Sequence, residues 1–388
     1  MPRFCYYARA ETTGNEHVNL DFSDEQKLLG DQVNKMLSDS DSVTAARRLV
    51  EGSETGYDTE IWRQMQELGL TGCAIETQYG GLGLGDLELC VISEAIGRHI
   101  APTPFFFSIC MAARAIQLFG AEEQKRTHLP GLASGERIAT MAIAETPGAV
   151  SQKRIRTRFG GGVLNGRKIG VCDGMSADFA LVMAQDEGGS VGLYLAELGD
   201  TQRSPQKSLD PSRPVACIEF SDTPAEPLGS AGWDDIQHIR DRAAVLCAFE
   251  QVGGAEACLE MARNYALERK AFGRQIASYQ ALKHRMADIY ILNTLARSNA
   301  YYAAWALSTD AQVLPSAAAT ALLSATEAFD FAAAENIQIH GGMGFTWEFD
   351  CHLYYRRSRA LGVILGGTGS WQRKLISALR AQNSTAVA

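Results

Sequence analysis

Three groups of residues in this 388-residue chain have the types and spacing for chemistry. The first is Glu268-Arg269-Lys270-Ala271-Phe272-Gly273. An arginine at a helix end beside a Phe-Gly turn offers a forked cation for a pyrophosphate, with an aromatic face next to it. A surface ion pair with Glu268 or Asp288 would use the same arginine. The second is Gln338-Ile339-His340-Gly341-Gly342-Met343-Gly344, at the end of a long apolar run. Its glycines suit a helix C-cap of the Schellman type and equally let backbone N–H groups approach a phosphate. His340 has no neighbouring base or nucleophile and reads as structural. The third is Glu250, set in Ala248-Phe249-Glu250-Gln251-Val252-Gly253-Gly254. A carboxylate in such surroundings needs an ion-pair partner, such as Arg263, or a raised pKa suited to a proton-abstracting base. Asp241 beside Arg242 is a further acid, with a solvated helix start as its alternative.

The elements that must hold these residues fall into three stretches. Residues 20–136 carry helical spacing, beginning with Ser/Asp cap chemistry at Phe22–Gln26 and continuing through Ile61–Leu68, Leu87–Arg98 and Cys110–Leu118. Gly80-Gly81-Leu82-Gly83 reads as a tight turn between them. From about Ile138 to Gly229, short β-rich runs alternate with Gly, Asn, Asp, Ser and Pro. They have no βαβ rhythm and no GxGxxG, which disfavours a Rossmann-type site. From Trp233 onward, Ile236–Lys270, Tyr279–Thr309 and Pro315–His340 form long runs, apolar around much of their circumference, that require helix neighbours. The expected fold is α+β: an N-terminal helical domain (19–137), a small middle antiparallel β domain (138–232) and a C-terminal long-helix, four-helix bundle domain (233–388). Residues 1–18 read as a disordered leader.

Composition limits the partners. A net charge of −9 gives no basic footprint for nucleic acid. Nine cysteines without a CxxC pair read as free thiols in a reducing compartment. No apolar run approaches the ~18 residues of a spanning helix, and the N-terminus lacks a signal-peptide pattern. A cytoplasmic protein is expected.

Four segments, in order and spacing, resemble the acyl-CoA dehydrogenase family. They are Leu129–Glu136 running into Ala142–Gly148, Leu164–Gly174, Glu268–Ile276 with Tyr279–Lys283, and Gln338–Thr346 with Tyr355-Arg356-Arg357. The resemblance implies α,β-dehydrogenation of an acyl-CoA thioester, with FAD as cofactor and electron-transfer flavoprotein or a similar carrier as acceptor. It implies a homo-oligomer, dimer or tetramer, or a heterotetramer with a paralogue. By resemblance, Arg269, Phe272, Gln280, Gln338, Gly341, Gly342 and Thr368 contact FAD, several of them on a neighbouring subunit's cofactor.

The chain departs from that pattern at the reacting centre. The family's C-terminal Glu-Gly-Thr is matched by Gly366-Gly367-Thr368, and a second location used by some members aligns with Ala243. Lys-x-Trp-x-Thr becomes Lys168-Ile169-Gly170-Val171-Cys172, and Ala142-Ile143-Ala144 lacks the Tyr and Thr that often stand beside the flavin ring. Two readings follow. Glu250 acts as a relocated catalytic base, although about 10 Å along the helix from Ala243. Alternatively, the chain is a non-catalytic partner that completes a paralogue's FAD site, as in bacterial heterotetramers that shorten steroid side chains. A different flavin chemistry on the same scaffold is a third.

Overall fold

The computed structural model describes residues 20–52 and 56–386; the expected leader, 1–18, lies outside them. The N-terminal part is helical: α1 (Asp24–Asp39), α2 (Ser42–Gly52), α3 (Thr59–Glu67), α4 (Asp86–Arg98), α5 (Arg114–Phe119) and α6 (Glu122–Ser134). A buried π-helical segment, Phe106–Ala113, precedes α5. The cap chemistry read at Ser23 is formed: Gln26 N donates to Ser23 Oγ at 3.2 Å, and Ser23 N donates to Gln26 Oε1 at 2.8 Å.

The middle part is an eight-stranded sheet. Its strands are β1 (Ala139–Ala142), β2 (Arg158–Gly160), β3 (Val163–Cys172), β4 (Phe179–Gln185), β5 (Val191–Glu197), β6 (Gln202–Gln206), β7 (Val215–Pro224) and β8 (Glu226–Gly232). The order is β6-β7-β3-β2-β4-β5-β8, with β1 on β4. Most pairs are antiparallel; β1 and β2 each meet β4 in parallel. Strands β6 and β8 were not legible in sequence. Gln-Arg-Ser-Pro-Gln and a strand holding Pro227 and Gly229 lack an apolar alternation, and proline is confined to positions where no ladder donor is needed.

The C-terminal part comprises α7 (Trp233–Glu268), α8 (Gln280–Ser308), α9 (Leu314–His340), α10 (Cys351–Ile364) and α11 (Thr368–Ala386). A short hairpin, β9 (Lys270–Ala271) with β10 (Arg274–Gln275), separates α7 from α8. The alanine-rich runs become buried helix faces, and α9 lays Ala318, Ala321, Ala325, Phe329 and Ala332 into the bundle. Glycine sets how closely α7 meets α4. A Cβ on Gly97 would stand 1.8 Å from the carbonyl oxygen of Glu250, and one on Gly253 would stand 2.0 Å from that of Glu94. The two helices therefore cross backbone to backbone.

This crossing gives a stability prediction. Gly253→Ala should lower unfolding free energy by about 3 kcal/mol, because rigid carbonyls cannot yield to the added methyl. Gly199→Ala, with nothing within 4 Å of its new Cβ, should be near neutral. Urea unfolding of the two variants compares them; equal midpoints would refute the close crossing.

Candidate functional site

The three parts meet at a buried ion cluster. Arg357, fully buried on α10, donates Nε to Asp210 Oδ2 at 2.5 Å and Nη1 to Glu250 Oε1 at 3.1 Å. Its Nη2 donates to Ser212 Oγ at 3.1 Å and to the carbonyl of Ile100 at 3.2 Å. Arg213 Nη2 donates to the same Glu250 oxygen at 2.7 Å. Asp173, also buried, sits close enough to Arg213 and Arg357 to feel both charges, but burial dominates and pushes its carboxyl up to about 7. Glu250 is therefore ion-paired, though with Arg213 and Arg357; Arg263 is exposed and bonds Asn264. A carboxylate oxygen that accepts from two guanidiniums is committed to those contacts, which suits structure more than proton abstraction.

A cavity of about 320 Å³ lies between the sheet and the helices. Met141, Ile143, Ala144, Ile169, Gly170 and Cys172 form its sheet wall, Phe107 and Met111 close one side, and Arg240, Ile364, Leu365 and Gly366 close another. Among the described residues lining it, the charged ones are Lys207, Arg213 and Arg240; no carboxylate faces it, and Glu250 is not among them. Gly366 has φ +106, and a Cβ there would begin 3.3 Å from Arg240 Nη2. Ala243, the other empty position, is buried.

Asp241 and Arg242 do not pair with each other. Asp241 forms an ion pair with Lys374 and lines a second cavity, whereas Arg242 pairs with Asp86. On the sheet wall, Ile169 N donates to the carbonyl of Ala144 at 2.8 Å. The fully buried ammonium of Lys168 donates to the carbonyl of Ile143 at 3.2 Å and to Glu145 at 2.6 Å. The Ile143 and Ala144 carbonyls are thus already engaged within the sheet.

The residues expected at a pyrophosphate lie elsewhere and none lines this cavity; Thr368 lines a separate small one with Gly367 and Trp371. At the tip of the β9–β10 hairpin, Phe272 and Gly273 have φ +51 and +80, a pair of signs that matches a type I′ turn. Phe272 is 98% exposed, and Arg269 and Gln280 are exposed beside it. Arg269 makes no ion pair with Glu268 or Asp288. A small apolar cluster of Ala262, Ala266, Ile276 and Ile339 fastens this hairpin to the end of α9, so Gln338, Gly341 and Gly342 share its end of the bundle. Gly341 ends α9 at φ +60 and ψ −137, not in the left-handed setting of a Schellman cap. The space before Gly341 and Gly342 is open, with nothing within 4 Å of an added Cβ. His340 stacks on Tyr265 at 4.1 Å and bonds the Asn336 carbonyl through Nδ1, a packing role. Thr368 is exposed at the start of α11.

A helical layer, a mostly antiparallel sheet and a long-helix bundle meeting at a junctional cavity are the architecture of the acyl-CoA dehydrogenase fold. The sequence profiles of the acyl-CoA dehydrogenase N-terminal and C-terminal domains match residues 23–136 and 230–379. The chain belongs to the acyl-CoA dehydrogenase family. It is 31% identical over 355 residues to acyl-CoA dehydrogenase IpdE2 of Mycobacterium tuberculosis, covering 91% of this chain and 97% of that one. It is 30% identical to the mitochondrial isovaleryl-CoA dehydrogenase of Solanum tuberosum, covering 90% of each. Among solved structures it superposes on a chain of the ChsE4–ChsE5 complex from Mycobacterium tuberculosis with TM-score 0.85, at 26% identity over 94% of this chain and 99% of the other. A chain from a variant of the Tcur3481–Tcur3483 steroid ACAD gives TM-score 0.84 at 28% identity, covering 93% of this chain and 99% of that one.

Asp173 yields a pH prediction. In the unfolded chain its carboxyl ionises near pH 4, whereas in the folded protein it keeps its proton to about pH 7. The unfolded state therefore binds fewer protons between those values, and this group's contribution to stability falls as pH rises through that window. Asp173→Asn should gain stability relative to the parent on going from pH 4 to pH 7, read by urea unfolding; a pH-independent difference would rule out the buried protonated carboxyl. Separately, Glu250→Gln should cost about 3 kcal/mol by leaving buried guanidinium charge uncompensated.

Proposed function

We propose that this chain is the acid-less subunit of a heteromeric, FAD-dependent acyl-CoA dehydrogenase. The observation that carries this reading is the cavity wall: Gly366 stands where the family resemblance puts the base, Arg240 lies beside it, and no carboxylate of the described residues faces the cavity. An α proton of a thioester needs a desolvated general base within hydrogen-bond reach. The charged residues of this lining, Lys207, Arg213 and Arg240, are all cationic and offer none.

The residues present fit one part of FAD and not another. Arg269 gives a forked cation, Phe272 a free aromatic face, and Gly341 and Gly342 an open backbone approach, which suits the pyrophosphate region of a cofactor bound mainly by a neighbour. Gln280 and Gln338 flank that surface, and Thr368 begins α11 on this chain. The sheet wall offers the flavin ring aliphatic side chains and carbonyls already engaged by Lys168 and Ile169. Bound FAD would accept the substrate's β hydrogen as hydride at N5, and this chain's part is to bind and orient, with the partner holding the base. Tyr290, Ile291 and Leu295 form an exposed apolar strip on α8, at 54–61% exposure, consistent with an assembly surface. Electrons would leave through an electron-transfer flavoprotein or similar carrier. The similarity to chains from the ChsE4–ChsE5 and Tcur3481–Tcur3483 complexes supports a paralogue as partner.

The test is purification with and without an acid-bearing paralogue. Alone, the chain should be colourless and inactive; co-purified, it should form a yellow complex that reduces an artificial acceptor with an acyl-CoA. Arg269→Ala in this chain should cut flavin retained by the complex about tenfold, as expected for a lost charge-assisted contact. Tight flavin binding with turnover by the isolated chain would refute the proposal. If that turnover vanished in Glu250→Gln while flavin stayed bound, Glu250 would be the base.

A further inference from the structure

We propose that the cavity beside Gly366 is a receptor for a carboxylate carried on an apolar body, with Arg240 as its anchor. Arg240, on the N-terminal part of α7, is only 6% exposed. Its Nη1 donates to Gln237 Oε1 at 3.0 Å and its Nη2 to the Leu365 carbonyl at 2.9 Å, so both acceptors are neutral. The guanidinium lies over the Trp371 ring at 5.6 Å, another neutral partner. The adjacent acid, Asp241, makes its contacting ion pair with Lys374 and attracts Arg240 only through space. A guanidinium does not deprotonate in a protein. Burying its charge without a contacting opposite charge is costly unless something supplies one.

Arg240 forms part of the wall of two cavities, of about 320 and 420 Å³. The second already contains Asp234 and Asp241 in its lining, which disfavours an anion. The first has Lys207 and Arg213 as its other charged residues. Arg213 commits Nη2 to Glu250 and buries Nε and Nη1 without a hydrogen-bond partner. The rest of that wall is dominated by side chains such as Phe107, Met111, Ile169 and Val215. Glycine at 366 keeps the approach to Arg240 open, since a side chain there would begin 3.3 Å from Nη2.

Apolar walls with a forked donor at one end select an apolar acid over a small hydrated anion. Free phosphate would lose its hydration against Met and Ile without enough donors to replace it. A carboxylate on an aliphatic body satisfies both parts, receiving charge-assisted hydrogen bonds while its hydrocarbon fills the remaining space. The site requires neither FAD nor a partner chain, so it can be probed apart from the proposed function.

The full-length chain is titrated calorimetrically with cyclohexanecarboxylate, with the neutral isostere cyclohexanecarboxamide, and with inorganic phosphate. The acid should bind at least about tenfold more tightly than the amide, and phosphate should not bind. Arg240→Gln should remove the acid's advantage while leaving amide binding unchanged, and Arg240→Lys should retain part of it. If Arg240→Gln fails to fold, the acid-over-amide ratio of the parent decides the matter on its own. Equal binding of acid and amide, binding of phosphate in preference to the acid, absence of acid binding, or an unaltered acid affinity in a folded Arg240→Gln would each overturn the proposal.

Discussion

The fold depends on a buried arginine being fully answered. Arg357 cannot shed its charge, and its guanidinium has no access to water. Its acceptors come from each of the three parts of the chain. Ile100 follows α4, Asp210 and Ser212 lie between β6 and β7, and Glu250 is on α7. If any part moved by more than a hydrogen-bond length, a buried charge or a buried donor of Arg357 would lose its partner. Desolvating several charges offsets much of their mutual attraction, so the cluster's contribution lies less in net stability than in fixing one relative placement. The close crossing of α4 and α7 serves the same end, because Gly97 packs against the very carbonyl of Glu250.

What was legible in the sequence follows from how each feature is encoded. The long helices were readable because alanine-rich runs of 27–36 residues leave few alternatives, and their bounds shift by only a few positions. The central apolar strands were readable from β-rich runs between turn residues. Edge strands were not, since Pro205 and Pro227 mark segments whose pairing is imposed by neighbours. At the site, Glu250 stands out because a carboxylate amid alanine, phenylalanine and glycine violates the local pattern. Its partners do not. Arg213 and Arg357 lie 37 and 107 residues away, and contact at that separation is a property of topology. Arg240 is hidden for a related reason: beside Asp241 it resembles half of a local ion pair, and only the fold sends that acid to Lys374.

The two halves of the candidate site are governed by different constraints, which explains how one can change while the other stays. The hairpin tip and the end of α9 present Arg269, Phe272 and Gly341 outward, supported by a small apolar cluster of their own. Nothing about that surface requires an acid in the distant cavity. On the proposed function, the exterior serves a neighbour's cofactor independently of what lines the interior cavity.

Within the cavity the changes are coupled rather than independent. A glutamate at 366 would have to begin from a backbone at φ +106, which side chains disfavour, with Arg240 Nη2 already 3.3 Å from its Cβ. Its carboxylate would meet a guanidinium fixed by Leu365 and Gln237 and would be held ionised in an ion pair. A base is useful when its charged form is poised to take a proton, and such a pair stabilises the charged form instead. A glutamate introduced at 366 would therefore form a salt bridge with Arg240 rather than stand free as a base. Glycine at 366 and the buried Arg240 are thus coupled, and the cationic end of the cavity is their joint consequence.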